Sequence, residues 1–166
     1  MNKTGLILQN KTFNNALCSL EKLESDREFC KHDLTHLIEV ARIMLIINER
    51  ENLNLDYNLI IGASLLHDLG RINGYKFNSD HHLEGQDLIK RILTECTYSK
   101  DEINKILSAI SLHKSSSEDK LSNTLFMADK LSRPCYTCKM KNECYWDNSL
   151  KNKRYYKWKS ETENLT

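Results

Sequence analysis

Apolar residues recur every three or four positions over most of the chain, which is the spacing that places them on one face of an α-helix. The predicted helices are a short amphipathic one before residue 28 and five longer ones over about 33–52, 57–69, 81–96, 99–112 and 119–132. No segment alternates apolar and polar residues over six positions, as a half-buried strand would. One proline and five glycines in 166 residues leave few interruptions. The pattern therefore predicts an all-α fold.

Several residues mark the expected ends of these helices. Gly70 follows the helix over 57–69 and is expected to end it. The next segment, 71–80, is predicted to be a polar loop, whereas Ser99 and Glu102 have the spacing of a capping box. Pro134 ends the last helix. We therefore expect a helical bundle over 1–132 and a Cys-rich basic extension over 133–166, packed on the same domain.

Charge and composition exclude several classes of protein. Lys and Arg number 24 and Asp and Glu number 23, so the chain is neither a globally basic nucleic-acid binder nor a strongly acidic disordered chain. The mean hydropathy is −0.58, and no apolar run approaches the ~20 residues of a membrane span. The first ten residues contain too short an apolar stretch for a signal peptide, so we expect a cytoplasmic protein. Its six cysteines are then expected to be reduced or metal-bound.

The polar residues of interest lie on the apolar faces of these helices or at their ends. They are His36, His67, Asp68, His81, His113 and Asp129. One such histidine is more often a hydrogen-bonded core residue than a ligand, so the prediction depends on the whole set. A buried carboxylate without a partner costs several kcal/mol. A divalent metal would satisfy all of these groups together.

Four segments resemble motifs of the HD-domain superfamily of metal-dependent phosphohydrolases. They are HLIEVARIM, which contains His36, then SLLHDLGR, HHLEGQDLI and FMADKLS. The similarity covers about residues 32–132. It implies an all-α HD bundle of about five to seven helices and a hydrolase acting on a phosphate ester.

The resemblance also implies two metal ions that share Asp68. The first ion would be bound by His36, His67, Asp68 and Asp129, and the second by Asp68, His81 and His113. Mixed His and carboxylate ligands suit Fe, Mn or Co better than Mg, which prefers oxygen alone. Bacterial diadenosine tetraphosphate hydrolases have a similar ligand order. A small phosphate substrate, a nucleotide or a dinucleoside polyphosphate, is therefore expected.

Further residues are candidates for roles around the metals. Asp68 is a candidate proton acceptor, while Arg71, Lys114 and Lys130 are the cations near the ligands in sequence that would contact the phosphate. Arg71 stands where the family signature has Lys, and its guanidinium can bind a phosphate through two donors. His32 lies one turn before His36 and either contacts substrate, orients a ligand or is a surface histidine at a helix start.

The cysteines suggest a second site. Three of them, Cys135, Cys138 and Cys144, have a spacing similar to the last three cysteines of the iron–sulfur loop in endonuclease III-type DNA glycosylases. Cys30 precedes His36 by six residues, and Cys135 follows Asp129 by six. If those two helices are antiparallel, both cysteines emerge at one end of the bundle. Cys30 is therefore the predicted fourth ligand of a zinc or iron–sulfur site. The alternative is four free or buried thiols.

Other functions stay open at this point. Residues 139–159 contain seven Lys or Arg, interleaved with Tyr155, Tyr156 and Trp158. Such a segment either binds nucleic acid by stacking or is a solvated helix with its aromatic residues docked on the bundle. The alternatives to a hydrolase are an HD-fold di-iron oxygenase and a nucleotide- or nucleic-acid-binding protein with a cysteine metal site. A homodimer is also open.

Overall fold

The structure, a computed structural model, describes residues 3–77, 82–112, 118–149 and 151–152. Over these ranges the chain contains eight helices and no strand, so the predicted all-α class is confirmed. The helices are α1 Lys3–Gln9, α2 Lys11–Leu23, α3 Leu34–Arg50, α4 Tyr57–Leu66, α5 Arg71–Phe77, α6 His82–Glu95, α7 Lys100–Leu112 and α8 Lys120–Leu131. None of the helices in the described ranges has the length and apolarity required to cross a membrane.

Short-range side-chain hydrogen bonds explain where several helices begin. Asp33 accepts a bond from the backbone amide of His36 at the start of α3, at 2.9 Å. Asp119 likewise accepts from Ser122 at the start of α8, at 2.7 Å. The predicted capping box at α7 is present, because the Ser99 amide donates to Glu102 Oε2 at 2.7 Å and the Glu102 amide donates to Ser99 Oγ at 3.3 Å. Each such cap stabilises its helix by about 1 kcal/mol.

The chain between α4 and α6 differs from the sequence prediction. The helix expected over 57–69 ends at Leu66, and part of the expected loop 71–80 forms α5. Turn bonds such as Arg71 N to Asp68 O, at 3.0 Å, lead directly from one helix into the next. A glycine at the end of a helix commonly adopts a positive φ angle. Gly70 does not, and it lies in the turn between α4 and α5. With this extra helix and the division of the N-terminal segment into α1 and α2, the described ranges contain eight helices, where about five to seven were expected.

The backbones of Gly70 and Gly85 are in close contact. A Cβ added to Gly85 would lie 2.7 Å from Gly70 Cα, which is closer than real Cβ contacts. Helix α6 therefore packs directly on the turn that follows α4. Any side chain at Gly85 would push α6 away from this turn.

The core of the bundle is centred on α3 and α4. Helix α3 packs against α4 and α8, and α7 packs against α4, α6 and α8. All residues of α4 from Ile60 to Leu66 are buried, as the apolar composition of this helix predicts. The start of α3 and the ends of α4 and α8 meet on one side of this core, where the polar residues described below are located.

The chain after α8 folds back onto the end of that helix. Residues 133–149 form turns and bends without a helix. The Asn152 side-chain amide, in a residue only 5% exposed, lies 2.8–2.9 Å from the carbonyl oxygens of Lys130, Leu131 and Arg133. These contacts attach the described part of the extension to the bundle. The boundary at 132/133 stays a prediction.

Candidate metal centre

Three helix ends bring four metal-binding side chains together. His36 lies in the first turn of α3, His67 and Asp68 directly follow α4, and Asp129 lies in the last turn of α8. One potential ligand atom from each residue lies within 4.8 Å of the others. These are the same four residues that the family resemblance assigned to the first metal ion.

The distances within this His–Asp cluster are short. Asp68 Oδ2 lies 3.0 Å from His67 Nε2 and 3.3 Å from His36 Nε2, and Asp129 Oδ1 lies 3.6 Å from His36 Nε2. The side chains of His67 and Asp68 are 0% and 4% exposed. Among the described residues, neither His36 Nε2 nor Asp68 Oδ2 has a hydrogen-bond partner, although both atoms are buried. Buried polar atoms are normally satisfied, so this arrangement fits a bound cation.

Both histidines are oriented through their other ring nitrogen. His67 Nδ1 lies 2.8 Å from the carbonyl oxygen of Ser64. His36 Nδ1 lies 3.3 Å from Ser132 Oγ, whose hydroxyl donates to the Asp129 carbonyl oxygen at 2.8 Å. Such bonds keep a proton on Nδ1, so the neutral form of each imidazole presents its Nε2 lone pair to a cation bound in the cluster.

Each carboxylate uses its second oxygen to bind a cationic side chain. Asp68 Oδ1 accepts from Arg71 Nε at 2.5 Å. Asp129 Oδ2 accepts from Lys130 Nζ at 2.7 Å and from Arg133 Nη2 at 3.4 Å. The predicted residues Arg71 and Lys130 are therefore located beside the cluster, with side chains 44% and 21% exposed.

The charges within the cluster shift the pKa values of its members. Burial by itself would raise the pKa of Asp68, but His67, His36 and Arg71 hold it well below its usual value. Burial by itself would also raise the pKa of Asp129, but His67 and Lys130 lower it below its usual value. Both carboxylates are therefore ionised at neutral pH, which is the form that binds a cation.

His32 lies beside the cluster and is held by Glu24. His32 Nε2 is 3.8 Å from Asp68 Oδ2, while His32 Nδ1 is 2.7 Å from Glu24 Oε1. Glu24 also accepts from the His32 backbone amide at 2.8 Å and from the Tyr75 hydroxyl at 2.7 Å. Both His32 and Glu24 are buried, so His32 is not the surface histidine that was one of the alternatives.

Sequence reasoning missed Glu24, Tyr75, Ser132 and Arg133. Glu24 caps α2 in a run of charged residues, and nothing in its spacing distinguishes it from a solvated carboxylate. Burial raises its pKa, but hydrogen bonds from His32 and Tyr75 outweigh that effect and lower it to about 2. Arg133 and Ser132 follow Asp129 at helical spacing, which is the signal that would have identified them.

Several predicted residues lie outside the described ranges. They are His81, His113 and Lys114, together with Tyr155, Tyr156 and Trp158 of the extension. The second metal ion therefore stays a prediction. The four cysteines Cys30, Cys135, Cys138 and Cys144 are all described, and each is unpaired and partly buried.

Comparisons with known proteins identify a family whose matched region contains the whole His–Asp cluster. The HD domain family matches residues 33–134, which contain all four residues of the cluster. An uncharacterized protein of Clostridium beijerinckii is 34% identical over 156 residues, covering 94% of this chain and 99% of that protein. Ribonuclease Y of Acetivibrio thermocellus is 31% identical over 94 residues, which are 57% of this chain and 16% of that enzyme. No solved structure matches significantly.

Proposed function

This chain belongs to the HD domain family, and on that premise we propose that it hydrolyses a phosphate ester or anhydride of a nucleotide at the His–Asp cluster. The observation that carries the proposal is the convergence of four potential ligand atoms within 4.8 Å. Two of these atoms, His36 Nε2 and Asp68 Oδ2, are buried without a hydrogen-bond partner in the described part of the chain.

A divalent metal ion bound by the cluster would supply a hydroxide nucleophile at neutral pH and polarise a phosphate oxygen. His36, His67, Asp68 and Asp129 would bind it, and their mixed nitrogen and oxygen donors suit Fe, Mn or Co better than Mg. Arg71 and Lys130 would offset the negative charge of the two carboxylates and of an arriving phosphate.

Arg71 is our candidate for binding the substrate phosphate. Its Nε is engaged by Asp68, but the guanidinium has further N–H donors and its side chain is 44% exposed. A phosphate next to Asp68 would therefore meet a cation that is already oriented. Lys130 is oriented in the same way by Asp129.

His32 is our candidate for holding or moving a proton beside Asp68. A carboxylate only accepts hydrogen bonds, so Glu24 fixes the proton of neutral His32 on Nδ1 and leaves Nε2 as an acceptor. That acceptor lies 3.8 Å from Asp68 Oδ2. The alternative acceptor is Asp68 itself.

Two substrate classes are worth testing first. A dinucleoside polyphosphate follows from the resemblance of the ligand order to bacterial diadenosine tetraphosphate hydrolases. The match to ribonuclease Y supports an RNA phosphodiester as the second candidate. Both substrates contain phosphates that a metal ion and Arg71 could bind together.

The first experiment compares Asp68→Asn with Asp101→Asn. Asp101 is a matched control, because its side chain is 73% exposed on α7. Protein loaded separately with Fe, Mn and Co is assayed for phosphate or nucleotide release from diadenosine tetraphosphate, mononucleotides and short RNA. We expect wild type and Asp101→Asn to be equally active and Asp68→Asn to lose about 100-fold or more. Oxygen uptake without phosphate release, or equal rates in all three proteins, would contradict the proposal.

A further inference from the structure

Four cysteines lie outside the region that matches the HD domain and have no role in the proposed hydrolysis. They are Cys30, Cys135, Cys138 and Cys144. We propose that these four side chains form a second metal site, separate from the His–Asp cluster, that binds a zinc ion or an iron–sulfur cluster through four thiolates.

The fold brings the two cysteine-containing segments to the same end of the bundle. Cys30 lies four residues before Leu34, where α3 begins, and Cys135 lies four residues after Leu131, where α8 ends. These two helix ends already meet, because His36 Nε2 and Asp129 Oδ1 are 3.6 Å apart. The antiparallel arrangement that the sequence argument required is therefore present.

Direct contacts hold the two segments side by side. The ring of Phe29, next to Cys30, packs edge-on against the ring of Tyr145, next to Cys144, with centroids 6.3 Å apart. Arg27 Nε donates to the Cys30 carbonyl oxygen at 2.7 Å and so fixes the backbone at this cysteine. Within the other segment, Lys151 Nζ donates to the Cys144 carbonyl oxygen at 3.2 Å.

The other three cysteines lie close enough to Cys30 to influence its ionisation. Burial raises the pKa of Cys30, and it is raised further by Cys135, Cys138 and Cys144, whereas Arg133 opposes the increase. Four thiolates at one place repel each other unless a cation is bound among them. A metal ion removes the conflict, because a coordinated thiol is deprotonated outright.

The burial pattern of the loop points to the same conclusion. In residues 134–149, the partly buried positions are the three cysteines, Met140 and Trp146, while the others are exposed. The backbone bonds described in this loop are local turns such as Thr137 N to Pro134 O, at 3.1 Å. None of the six cysteines forms a disulfide. Metal binding would supply the cross-link that this loop lacks without a helix or a disulfide.

The arrangement of the sulfurs bears on which metal is bound. Within the described ranges, the His–Asp cluster is the set of ligand atoms that already lie within 4.8 Å of one another, and the cysteines do not form such a set. A single tetrahedral zinc ion requires neighbouring sulfurs about 3.8 Å apart, from Zn–S bonds of about 2.3 Å. An iron–sulfur cluster contains several metal atoms and accepts thiolates that are farther apart.

The proposed cysteine site adjoins the active site through Arg133. The Arg133 guanidinium lies 3.9 Å from the Trp146 ring centroid, and its Nη2 lies 3.4 Å from Asp129 Oδ2. Lys130 Nζ also lies over Trp146, at 5.2 Å. A metal bound to the cysteines would therefore hold Trp146 against the two cations that contact Asp129.

The experiment measures bound iron, zinc and acid-labile sulfide per chain in anaerobically purified full-length protein. The variants are Cys30→Ser, Cys138→Ser, His67→Ala and the control Cys18→Ser, which changes an exposed cysteine on α2. We expect Cys30→Ser and Cys138→Ser to lose a metal that His67→Ala and Cys18→Ser retain. Iron with an equal amount of sulfide identifies a cluster, whereas zinc without sulfide identifies a single ion, and either result supports four-thiolate binding.

A second measurement covers the case in which a cysteine variant fails to fold. Wild-type protein is stripped of metal, checked by circular dichroism and titrated with Co²⁺, which gives strong charge-transfer absorption when thiolates bind it. We expect this absorption in wild type and in His67→Ala. The proposal is overturned if His67→Ala shows no such absorption, or if folded Cys30→Ser retains as much zinc and iron as Cys18→Ser.

Discussion

Asp68 and Asp129 each face two environments. One oxygen of each carboxylate faces the histidine nitrogens of the cluster, and the other binds a cationic side chain. These cations prevent the buried carboxylates from repelling each other and keep them ionised. The orientation of the histidines also depends on the Ser64 carbonyl oxygen and the Ser132 hydroxyl, which contact the ring nitrogens on the side away from the cluster.

Removing the Ser132 hydroxyl should weaken metal binding. Its Oγ links His36 Nδ1 to the end of α8, so Ser132→Ala leaves the imidazole less well oriented. We expect about tenfold weaker metal binding, measured by competition with a chromophoric chelator. Ser19→Ala is the control, because it removes a comparable hydroxyl-to-carbonyl bond within α2. Equal affinities of the two variants would exclude this role for Ser132.

Glu24 should make folding stability depend on pH in the acid range. Its folded pKa is about 2, below its ordinary value of 4.5. The groups that act on it are His32, Tyr75 and Arg71, and Arg27 donates to the Tyr75 hydroxyl. A lowered carboxylate pKa stabilises the fold above the ordinary value, and this stabilisation is lost as the pH falls towards 2.

Urea unfolding of Glu24→Gln tests this expectation. We expect its free energy of unfolding at pH 7 to be about 1–3 kcal/mol below wild type, since hydrogen bonds to a charged group are lost. The difference should shrink between pH 4.5 and 2, as Glu24 becomes protonated in wild type. Glu49→Gln, at an exposed position on α3, should show no such difference. If the difference in free energy of unfolding between Glu24→Gln and wild type stayed constant with pH, the role assigned to the Glu24 charge would be contradicted.

At the scale of helices, the site depends on where the helices end. The first turn of α3, the residues after α4 and the last turn of α8 each contribute ligands, so small shifts of these helices change the site. The turn after α4 carries His67 and Asp68 and is covered by α6 at Gly85.

Substituting Gly85 should therefore destabilise the protein. The Cβ of Gly85→Ala would meet the Gly70 backbone, which cannot move aside as a flexible side chain can. We expect the free energy of unfolding to fall by about 1–3 kcal/mol in urea titrations. Gly5→Ala is the matched control, because nothing lies within 4 Å of its added Cβ in α1. That variant should be as stable as wild type or up to about 1 kcal/mol more stable. Equal stabilities of the two variants would contradict the close approach of α6.

At the scale of the whole molecule, contacts distant in sequence attach both chain ends to the bundle. Lys3 Nζ lies 2.6 Å from Glu102 Oε1 and ties α1 to the start of α7. Asn152 binds the last carbonyl oxygens of α8, which have no partner within their own helix.

Replacing Asn152 should release the cysteine-containing loop from the bundle. Asn152→Ala loses the contacts to the carbonyl oxygens of Lys130, Leu131 and Arg133. We expect trypsin to cleave after Lys139 or Lys141 about ten times faster than in wild type, since about 1.4 kcal/mol of local stability is lost. The control variant Asn148→Ala, at an exposed position, should be cleaved at the wild-type rate. Unchanged cleavage in Asn152→Ala would mean that other contacts hold the loop.

Local patterns were enough to predict most helices. Helical spacing and caps such as Asp33, Asp119 and the Ser99–Glu102 pair act within a few residues, so they are readable in the sequence. The region around Gly70 was predicted wrongly: backbone turn bonds join α4 to α5 there, and the turn packs against α6 at Gly85. Propensity alone does not contain that information.

The sequence by itself determined the all-α class, because apolar spacing is a property of the chain, and the resemblance of its motifs to the HD-domain superfamily named the four residues of the His–Asp cluster. Only the tertiary structure showed that Glu24 holds His32 and that Arg133 lies between Asp129 and Trp146. These contacts join elements that approach one another only when the helices pack. Their energies depend on burial and distance, which a linear pattern does not specify.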